Sequence, residues 1–197
     1  MSATRAKLIQ VAFEQFGRRG FHGVGLDRII DDAGVSKQTF YNHFECKDDL
    51  VLAVLAHRHE TESKVFGDLI TSHGGRSARG QLYALFDALD AWMSQPDWRG
   101  CIFMTAAAEF PLQSDPAHQA AAEHNRLLQE HLQSLATLAR ASDPEGLALE
   151  LAVLISGAIA YRHATGRQEV VHAARTISKM LLDRAVPTEP ATASNEP

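Results

Sequence analysis

The stretch that most constrains this chain runs from residue 26 to residue 50 and reads LDRIIDDAGVSKQTFYNHFECKDDL. It predicts one short helix, a tight turn, a second short helix and the beginning of a long third helix. A buried face of the first helix is indicated by apolar residues at helical spacing, which are Leu26, Ile29, Ile30 and Ala33. Gly34 suits the turn because a side chain would oppose the conformation needed there, and Ser36 is placed to cap the second helix through its hydroxyl group.

The second short helix has one apolar face and one polar face. Phe40 and Phe44 lie four residues apart and are expected to point inward. The polar face is formed by Lys37, Gln38, Thr39, Tyr41, Asn42 and His43. Two short helices joined by a glycine-containing turn form a helix-turn-helix, whose second helix can enter the DNA major groove, where such side chains contact phosphates or read base edges. The alternative interpretation is an ordinary solvated helix face.

The stretch GVSKQTFYNHFECKDDL closely resembles the signature of TetR/AcrR-type transcriptional regulators. The positions in pattern are Gly34, Val35, Ser36, Thr39, Tyr41, His43, Phe44, Lys47 and Leu50, and upstream Ala12, Phe13, Phe16, Gly20, Phe21 and Ile29. The resemblance covers about the first quarter of the chain and implies that Lys47 contacts a DNA phosphate. The chain departs from the family pattern at Val24 and Gly25, where a Ser or Thr usually caps the helix and touches a phosphate. The hydroxyl contact to the DNA backbone is therefore missing at this position.

The predicted DNA-binding residues are Ser36, Lys37, Gln38, Thr39, Tyr41, Asn42, His43, Lys47 and Arg28. The net charge of −5 is unevenly divided along the chain. Residues 1–47 contain seven Lys or Arg against five acidic residues, whereas the remaining 150 residues contain twelve against nineteen. The N-terminal part of the chain, called the head below, is thus mildly basic, and the remainder, called the body, is acidic. This division favours an orientation with the head toward DNA.

The composition indicates a cytoplasmic, reduced protein. The N-terminus, MSATRAKLIQ, does not resemble a signal peptide, and no apolar run is expected to span a membrane. Only two cysteines occur, Cys46 and Cys101, so a disulfide framework is not indicated.

The predicted fold class is all-α, with an N-terminal three-helix helix-turn-helix domain followed by a larger helical domain for ligand binding and dimerisation. Residues 1–46 form the first domain, residues 47–185 the second and residues 186–197 a disordered tail rich in Pro, Thr and Ser. Within the second domain, residues 47–71 form a helix that the resemblance identifies as the connection between head and body. Phe21 is expected to close the small core of the head against Phe13, Phe40 and Phe44.

The resemblance implies that the last two helices form a dimer interface as a four-helix bundle across a two-fold axis. The predicted interface residues are Leu147, Leu151, Leu154, Ala158, Val170, Ala174, Ile177 and Leu181. The alternative is that these helices only cover the core. A dimer is favoured because one recognition helix reads few bases, whereas a two-fold dimer reads a palindrome.

The resemblance also implies an effector pocket in the helical body. The predicted lining is Trp92, Phe103, Met104, Phe110, Leu127, Leu128, Ile155 and Tyr161, with polar contacts from Thr105, Glu109, His124 and His163. Aromatic and Met side chains at helical spacing also suit a plain core. No cofactor and no metal is expected, because the histidine pairs that commonly bind zinc, with three residues between them, are absent.

The sequence therefore predicts a ligand-responsive DNA-binding regulator, with repression favoured, that binds a palindromic operator as a dimer and is released by a small, mostly apolar effector. One rival is a helical enzyme that uses Cys101 or the Glu123–His124 pair. Adjacent helical residues point about 100° apart, and no nucleophile elbow, phosphate loop or HExxH motif occurs. A second rival is a regulator that acts through a protein partner without reading an operator directly.

Overall fold

A computed structural model describes residues 2–96 and 98–187, and in these residues the chain forms nine α-helices and no strand. The helices are α1 (Ala3–Arg19), α2 (Leu26–Ala33), α3 (Lys37–Tyr41), α4 (Lys47–Gly74), α5 (Ala78–Met93), α6 (Ile102–Glu109), α7 (Pro116–Leu138), α8 (Pro144–Thr165) and α9 (Val170–Ala185). The predicted all-α class, with an N-terminal helix-turn-helix and a helical C-terminal domain, is confirmed. The connecting helix, predicted to end near residue 71, continues to Gly74.

Side-chain caps begin several of these helices where the sequence places small polar residues. The Ser2 hydroxyl accepts the Arg5 N–H at the start of α1, and the Asp143 carboxylate accepts the Gly146 N–H at the start of α8. Asp115 accepts the N–H of Ala117 in the first turn of α7. These bonds satisfy backbone donors that have no partner inside a helix, which explains why the helices begin at these residues.

The chain divides by internal contacts into two compact units. Unit 1 comprises the described residues of Met1–Gly67 and Met93–Leu127, and unit 2 those of Asp68–Trp92 and Leu128–Pro197. The helices α4 and α7 contribute residues to both units. The predicted domain boundary after residue 46 does not coincide with this division, and it stays a prediction.

One hydrophobic core runs through unit 1 and joins the helix-turn-helix to α4, α6 and the start of α7. Its largest members in the head are Leu8, Ile9, Phe16, Phe21, Ile29, Ile30, Phe40 and Phe44, and its members outside the head include Leu50, Val54, Leu55, Ile102, Phe103, Ala106, Ala117 and Ala121. The head therefore has no separate core of its own, because α6 and α7 supply part of the apolar surface on which it packs.

Phe21, Phe40 and Phe44 share this core and Phe13 packs against it, but the ring contacts include partners that the prediction did not name. Phe21 has its ring centroid 4.9 Å from that of Phe16 and 5.5 Å from that of Phe110, a residue distant in sequence. Phe13 lies beneath the Arg58 guanidinium of α4, 4.0 Å from its central carbon. The spacing within α1 and α3 could not reveal these partners, since both Phe110 and Arg58 come from later helices.

Unit 2 is built around α8 and α9, which pack against each other. Its buried side chains include Leu82, Leu85, Phe86, Leu89, Leu132, Leu147, Leu151, Ile155, Val171 and Leu182. Tyr83 of α5 donates its hydroxyl hydrogen to Asp183 of α9 at 2.6 Å, and Arg184 of α9 pairs with Glu150 of α8 at 2.8 Å. These polar contacts join the helices at the edge of the apolar layer.

One prediction for the second half of the chain needs correction. Val186, assigned to the disordered tail, is buried, and the Arg79 side chain donates to the carbonyl oxygens of Val186 and Pro187. Residues 188–197 of the predicted tail lie outside the described residues.

The helix α8 is long and apolar enough to cross a membrane by length and composition alone. This is weak evidence for a membrane-spanning helix, because a core helix of a soluble protein passes the same test. The expectation that no apolar run spans a membrane stays a prediction.

Candidate nucleic-acid interface

The turn between α2 and α3 has the conformation that its glycine allows. Gly34 adopts a left-handed conformation with φ 62° and ψ 38° at the C-terminus of α2. Its N–H donates to the carbonyl of Asp31, and the next N–H, of Val35, donates to the carbonyl of Ile30. This pattern closes the end of α2 and redirects the chain, so only three residues separate α2 from α3.

Ser36 begins α3 as predicted from its position after the turn. Its hydroxyl oxygen accepts the Thr39 N–H at 3.1 Å, and the two hydroxyl groups of Ser36 and Thr39 lie 2.8 Å apart. The hydroxyl groups of Ser36 and Thr39, both predicted to contact DNA, therefore also stabilise the start of α3. Phe40 and Phe44 are buried beneath α3, which confirms their predicted inward direction.

The opposite face of α3 carries the predicted DNA-contacting side chains. Lys37, Gln38, Tyr41 and Asn42 are exposed, whereas Thr39 and His43 are half-buried. Tyr41 is 53% exposed, and its ring meets the buried Phe40 edge to face at 5.3 Å. This contact holds the Tyr41 ring while its hydroxyl group remains available, and so the surface around it is organised before any ligand binds.

Two of the predicted cations lie beside carboxylates of α2. Lys37 Nζ is 2.8 Å from Asp27, and Arg28 Nε is 2.9 Å from Asp32. Both pairs are exposed, and exposed ion pairs stabilise a fold by only about 0–1 kcal/mol. A phosphate group could therefore displace either carboxylate at small cost.

Lys47, the predicted phosphate contact at the start of α4, has a partner inside the chain. Its Nζ donates to the Phe21 carbonyl oxygen at 2.6 Å and lies 5.9 Å from the centroid of the Phe16 ring. An ammonium group has three N–H donors, so two remain for other acceptors. The sequence resemblance indicated the phosphate role, but nothing in the spacing indicated the bond to residue 21.

The loop between α1 and α2 is held by the end of α6, a contact that the sequence did not predict. The Glu109 carboxylate accepts the backbone N–H of His22 at 2.7 Å, and the His22 ring donates to the Glu109 carbonyl at 2.9 Å. Gly20 has φ 73° and ψ 171°, and a methyl group at its Cα would overlap the Glu109 carboxylate. Phe110 adds ring contacts to Phe21 and His22 at 5.5 and 4.9 Å. The base of the helix-turn-helix is thus attached to α6 by polar and aromatic contacts together.

The predicted pocket residues fall in both units. Phe103, Met104, Phe110 and Leu127 belong to unit 1, while Trp92, Leu128, Ile155 and Tyr161 belong to unit 2. Phe103 and Ile155 are buried, Tyr161 is exposed and the others are half-buried. Of the predicted polar contacts, Thr105 is half-buried, His163 is exposed, and Glu109 and His124 have partners within unit 1. The pocket stays a prediction.

A cluster of polar groups surrounds Phe103 in unit 1. The His124 ring stacks on Phe103 with centroids 3.8 Å apart, and its Nδ1 lies 3.0 Å from Nδ1 of His59. Burial, and then the charge of His59, lowers the pKa of His124 to about 4. His124 is therefore neutral at neutral pH, and one proton lies between the two rings. In the described residues no group of three or more His, Cys, Asp or Glu side chains is arranged to hold a metal ion.

The same cluster bears on the enzymatic alternative. Burial, and then the nearby Glu62 carboxylate, raises the pKa of the Cys101 thiol to about 11, which leaves it protonated and weakly nucleophilic at neutral pH. Glu123 pairs with Arg126 at 2.7 Å, whereas His124 faces His59. The Glu123–His124 pair does not act as a unit in this arrangement.

Most of the predicted dimer-interface residues are buried or half-buried within the single chain. Leu147, Leu151, Ala158 and Ala174 are buried, Leu154, Val170 and Leu181 are half-buried, and Ile177 is 48% exposed. The exposed large apolar side chains of α8 and α9 are instead Leu149, Val153, Tyr161, Ile177 and Met180. The sequence could not separate the two sets on α8, because this helix is apolar around most of its circumference.

Two family models match separate parts of the chain. Residues 8–54 match the family described as "Bacterial regulatory proteins, tetR family". Residues 78–178, about half of the chain, match the family described as "Tetracyclin repressor-like, C-terminal domain". The first match contains the helix-turn-helix, and the second contains α5 to α8 and part of α9.

Individual relatives are similar over different lengths. The HTH-type transcriptional activator FasR of Mycolicibacterium smegmatis is 41% identical over 88 residues, which cover 44% of this chain and 40% of FasR. A TetR-family transcriptional regulator from Streptomyces coelicolor has a TM-score of 0.82 at 29% identity, covering 91% of this chain and 94% of that chain. The reduced form of NemR from E. coli has a TM-score of 0.83 and covers 96% and 100%, but at 23% identity this likeness concerns the fold alone.

Proposed function

Because the chain belongs to the TetR family of bacterial regulatory proteins, we propose that it represses transcription from an operator and leaves that operator when a small, mostly apolar effector binds. The family consists of DNA-binding transcriptional regulators, and the neighbours found for this chain are regulators rather than enzymes. The observation that carries the proposal is α3, which rests on buried Phe40 and exposes Gln38, Tyr41 and Asn42.

The exposed residues divide into two roles on DNA. Lys37, Arg28 and the Tyr41 hydroxyl are placed to contact phosphates, which position the head, whereas Gln38 and Asn42 are placed to read base edges. Lys47 can keep its bond to the Phe21 carbonyl and donate another N–H to a phosphate. This double role would couple phosphate binding to the position of the α1–α2 loop.

A two-fold dimer follows from the apolar surface of unit 2. On α8, Leu149 and Val153 lie one turn apart, and on α9, Ile177 and Met180 are three residues apart, so each pair shares a helix face. Val153 is 63% exposed and Met180 is 68% exposed, so these helices present a large apolar surface to solvent. A second copy of the same two helices would cover this surface in a four-helix bundle and place two α3 helices on one operator.

Effector binding can reach DNA through α6. The beginning of this helix carries Phe103 and Met104, predicted pocket residues, and its end carries Glu109, which holds the His22 backbone. A ligand that shifts α6 would therefore disturb the contact to the α1–α2 loop within unit 1. Effector and DNA would then weaken each other's binding by the same factor, typically 5- to 150-fold.

Activation is the second candidate for the direction of regulation, and FasR supplies it. FasR carries the description of an activator and shares 41% identity with this chain over 88 residues. A reporter gene under the promoter upstream of the chain's own gene separates the two. Repression predicts more reporter activity when the regulator gene is deleted, whereas activation predicts less.

Direct DNA binding is tested by fluorescence anisotropy with purified, cytoplasmically expressed protein. The labelled duplex is the DNA upstream of the chain's own gene, compared with a random duplex at two salt concentrations. We expect preferential binding that weakens with salt, because each phosphate contact releases counterions. Tyr41→Ala should weaken binding to both duplexes. Binding to neither duplex at either salt would contradict direct operator binding and favour action through a protein partner.

A further inference from the structure

The two amide side chains on the exposed face of α3 are joined to each other. Gln38 Nε2 donates to Asn42 Oδ1 at 3.3 Å, and the two residues are one helical turn apart. Both side chains are exposed. The bond restricts two otherwise flexible side chains and makes them a single polar group on the surface proposed to face DNA.

The pair presents one free acceptor and several free donors. With the bond as observed, Gln38 Oε1 has no role in it and can accept, while Asn42 Nδ2 can donate both of its hydrogens. If both amides were rotated by 180°, Asn42 would donate to Gln38, and the free carbonyl would belong to Asn42. In either orientation one carbonyl oxygen and one NH₂ group of the pair take no part in the bond, so the pair offers DNA both an acceptor and donors.

This pattern matches one base better than the others in the major groove. Adenine offers the N7 acceptor beside the N6 amino donor, and amide side chains pair with both atoms at once. Guanine offers two acceptors, N7 and O6, so the free amide oxygen would face another oxygen. Arg or Lys side chains suit guanine, but here Lys37 lies 2.8 Å from Asp27 and Arg28 lies 2.9 Å from Asp32.

We infer that Gln38 and Asn42 act together as the reader of an adenine in each operator half-site. The inference rests on the proposed function and deepens it, since it names the base that this surface selects. Lys37 and Arg28, which lie beside carboxylates of α2, are assigned to phosphates. Base selectivity at this position therefore depends on the amide pair.

The test begins with selection of duplexes from a randomised pool by the full-length protein. The selected duplex is then altered at single positions, with adenine replaced by guanine, or by 7-deazaadenine, which lacks the N7 acceptor. Binding is measured by anisotropy for the wild type, Gln38→Ala and Asn42→Ala. Gln119→Ala is the matched control, because it removes an exposed amide from α7, outside the head.

We expect one adenine per half-site at which guanine weakens wild-type binding by about 5- to 150-fold, the range for one bidentate base contact. The 7-deaza substitution should weaken binding at that same position. Gln38→Ala and Asn42→Ala should bind adenine and guanine there almost equally while they keep their preference at other positions, and Gln119→Ala should behave as the wild type. Both variants alter exposed groups, so folding is checked by the helical circular dichroism signal.

Two results would overturn the inference, and they differ from a failure of the proposed function. A selected half-site without a required adenine would refute it, as would an adenine preference that survives in both alanine variants. Failure of the wild type to enrich any sequence would refute operator binding itself, and the inference with it.

Discussion

Replacing Gly20 with alanine is expected to destabilise unit 1, because it acts on both the backbone and the contact to α6. At φ 73° and ψ 171°, a residue with a side chain costs about 1–3 kcal/mol. The added methyl group would also displace the Glu109 carboxylate from the His22 N–H, and a hydrogen bond to a charged group contributes about 1.5–3 kcal/mol. Alanine also lowers the conformational entropy of the unfolded chain, and this offsets about 0.4–1 kcal/mol of the destabilisation.

The net expectation is a loss of about 1.5–5.5 kcal/mol in the free energy of unfolding, measured by urea denaturation at one fixed protein concentration. Gly67→Ala is the control, because this glycine lies inside α4 with nothing within 4 Å of an added Cβ. It should stabilise the protein by about 0.5–1 kcal/mol. In a Glu109→Ala background the Gly20→Ala change should cost less, since the overlap is gone. A Gly20→Ala variant within about 0.5 kcal/mol of the wild type would refute this reasoning.

Arg140 lies two residues after the end of α7 with φ 58°, so Arg140→Gly should raise the free energy of unfolding by about 0.5–1 kcal/mol, and a loss in urea denaturation would contradict the strain. Burial and the charge of His59 lower the pKa of His124 to about 4, so the unfolded chain binds the proton more readily. The free energy of unfolding should therefore fall by up to about 3 kcal/mol as the pH decreases from 6.5 toward 4. This slope should flatten in His124→Phe, and equal slopes would argue against the shift. Ile177→Asp places a charge on the exposed apolar face of α9 and should give a folded monomer by sedimentation, whereas an unchanged dimer would exclude this face as the interface.

Local features of the head could be predicted because their causes lie within a few residues of one another. The left-handed turn at Gly34 and the cap at Ser36 depend on backbone geometry that each residue determines itself. The inward direction of Phe40 and Phe44 follows from their spacing of one helical turn. The starts of α7 and α8 also have local causes, since Asp115 and Asp143 each precede a proline residue there.

Contacts between distant residues could not be predicted in this way. Glu109 and His22 are 87 positions apart, and only the path of α6 brings the carboxylate to the loop. On α8 the apolar side chains of Leu147 and Leu149 point in different directions, one buried and one exposed. Hydrophobicity alone does not decide which faces the core when both sides of a helix are apolar.

Hydroxyl-radical footprinting of the wild-type protein on its selected operator tests most directly that the protein binds a palindromic site as a dimer, with one α3 helix for each half-site. The account predicts two protected half-sites related by two-fold symmetry, with centres about 34–36 Å apart along the DNA or a multiple of that distance. A single asymmetric protected block, or uniform protection along the duplex, would contradict a dimer that reads DNA through two α3 helices.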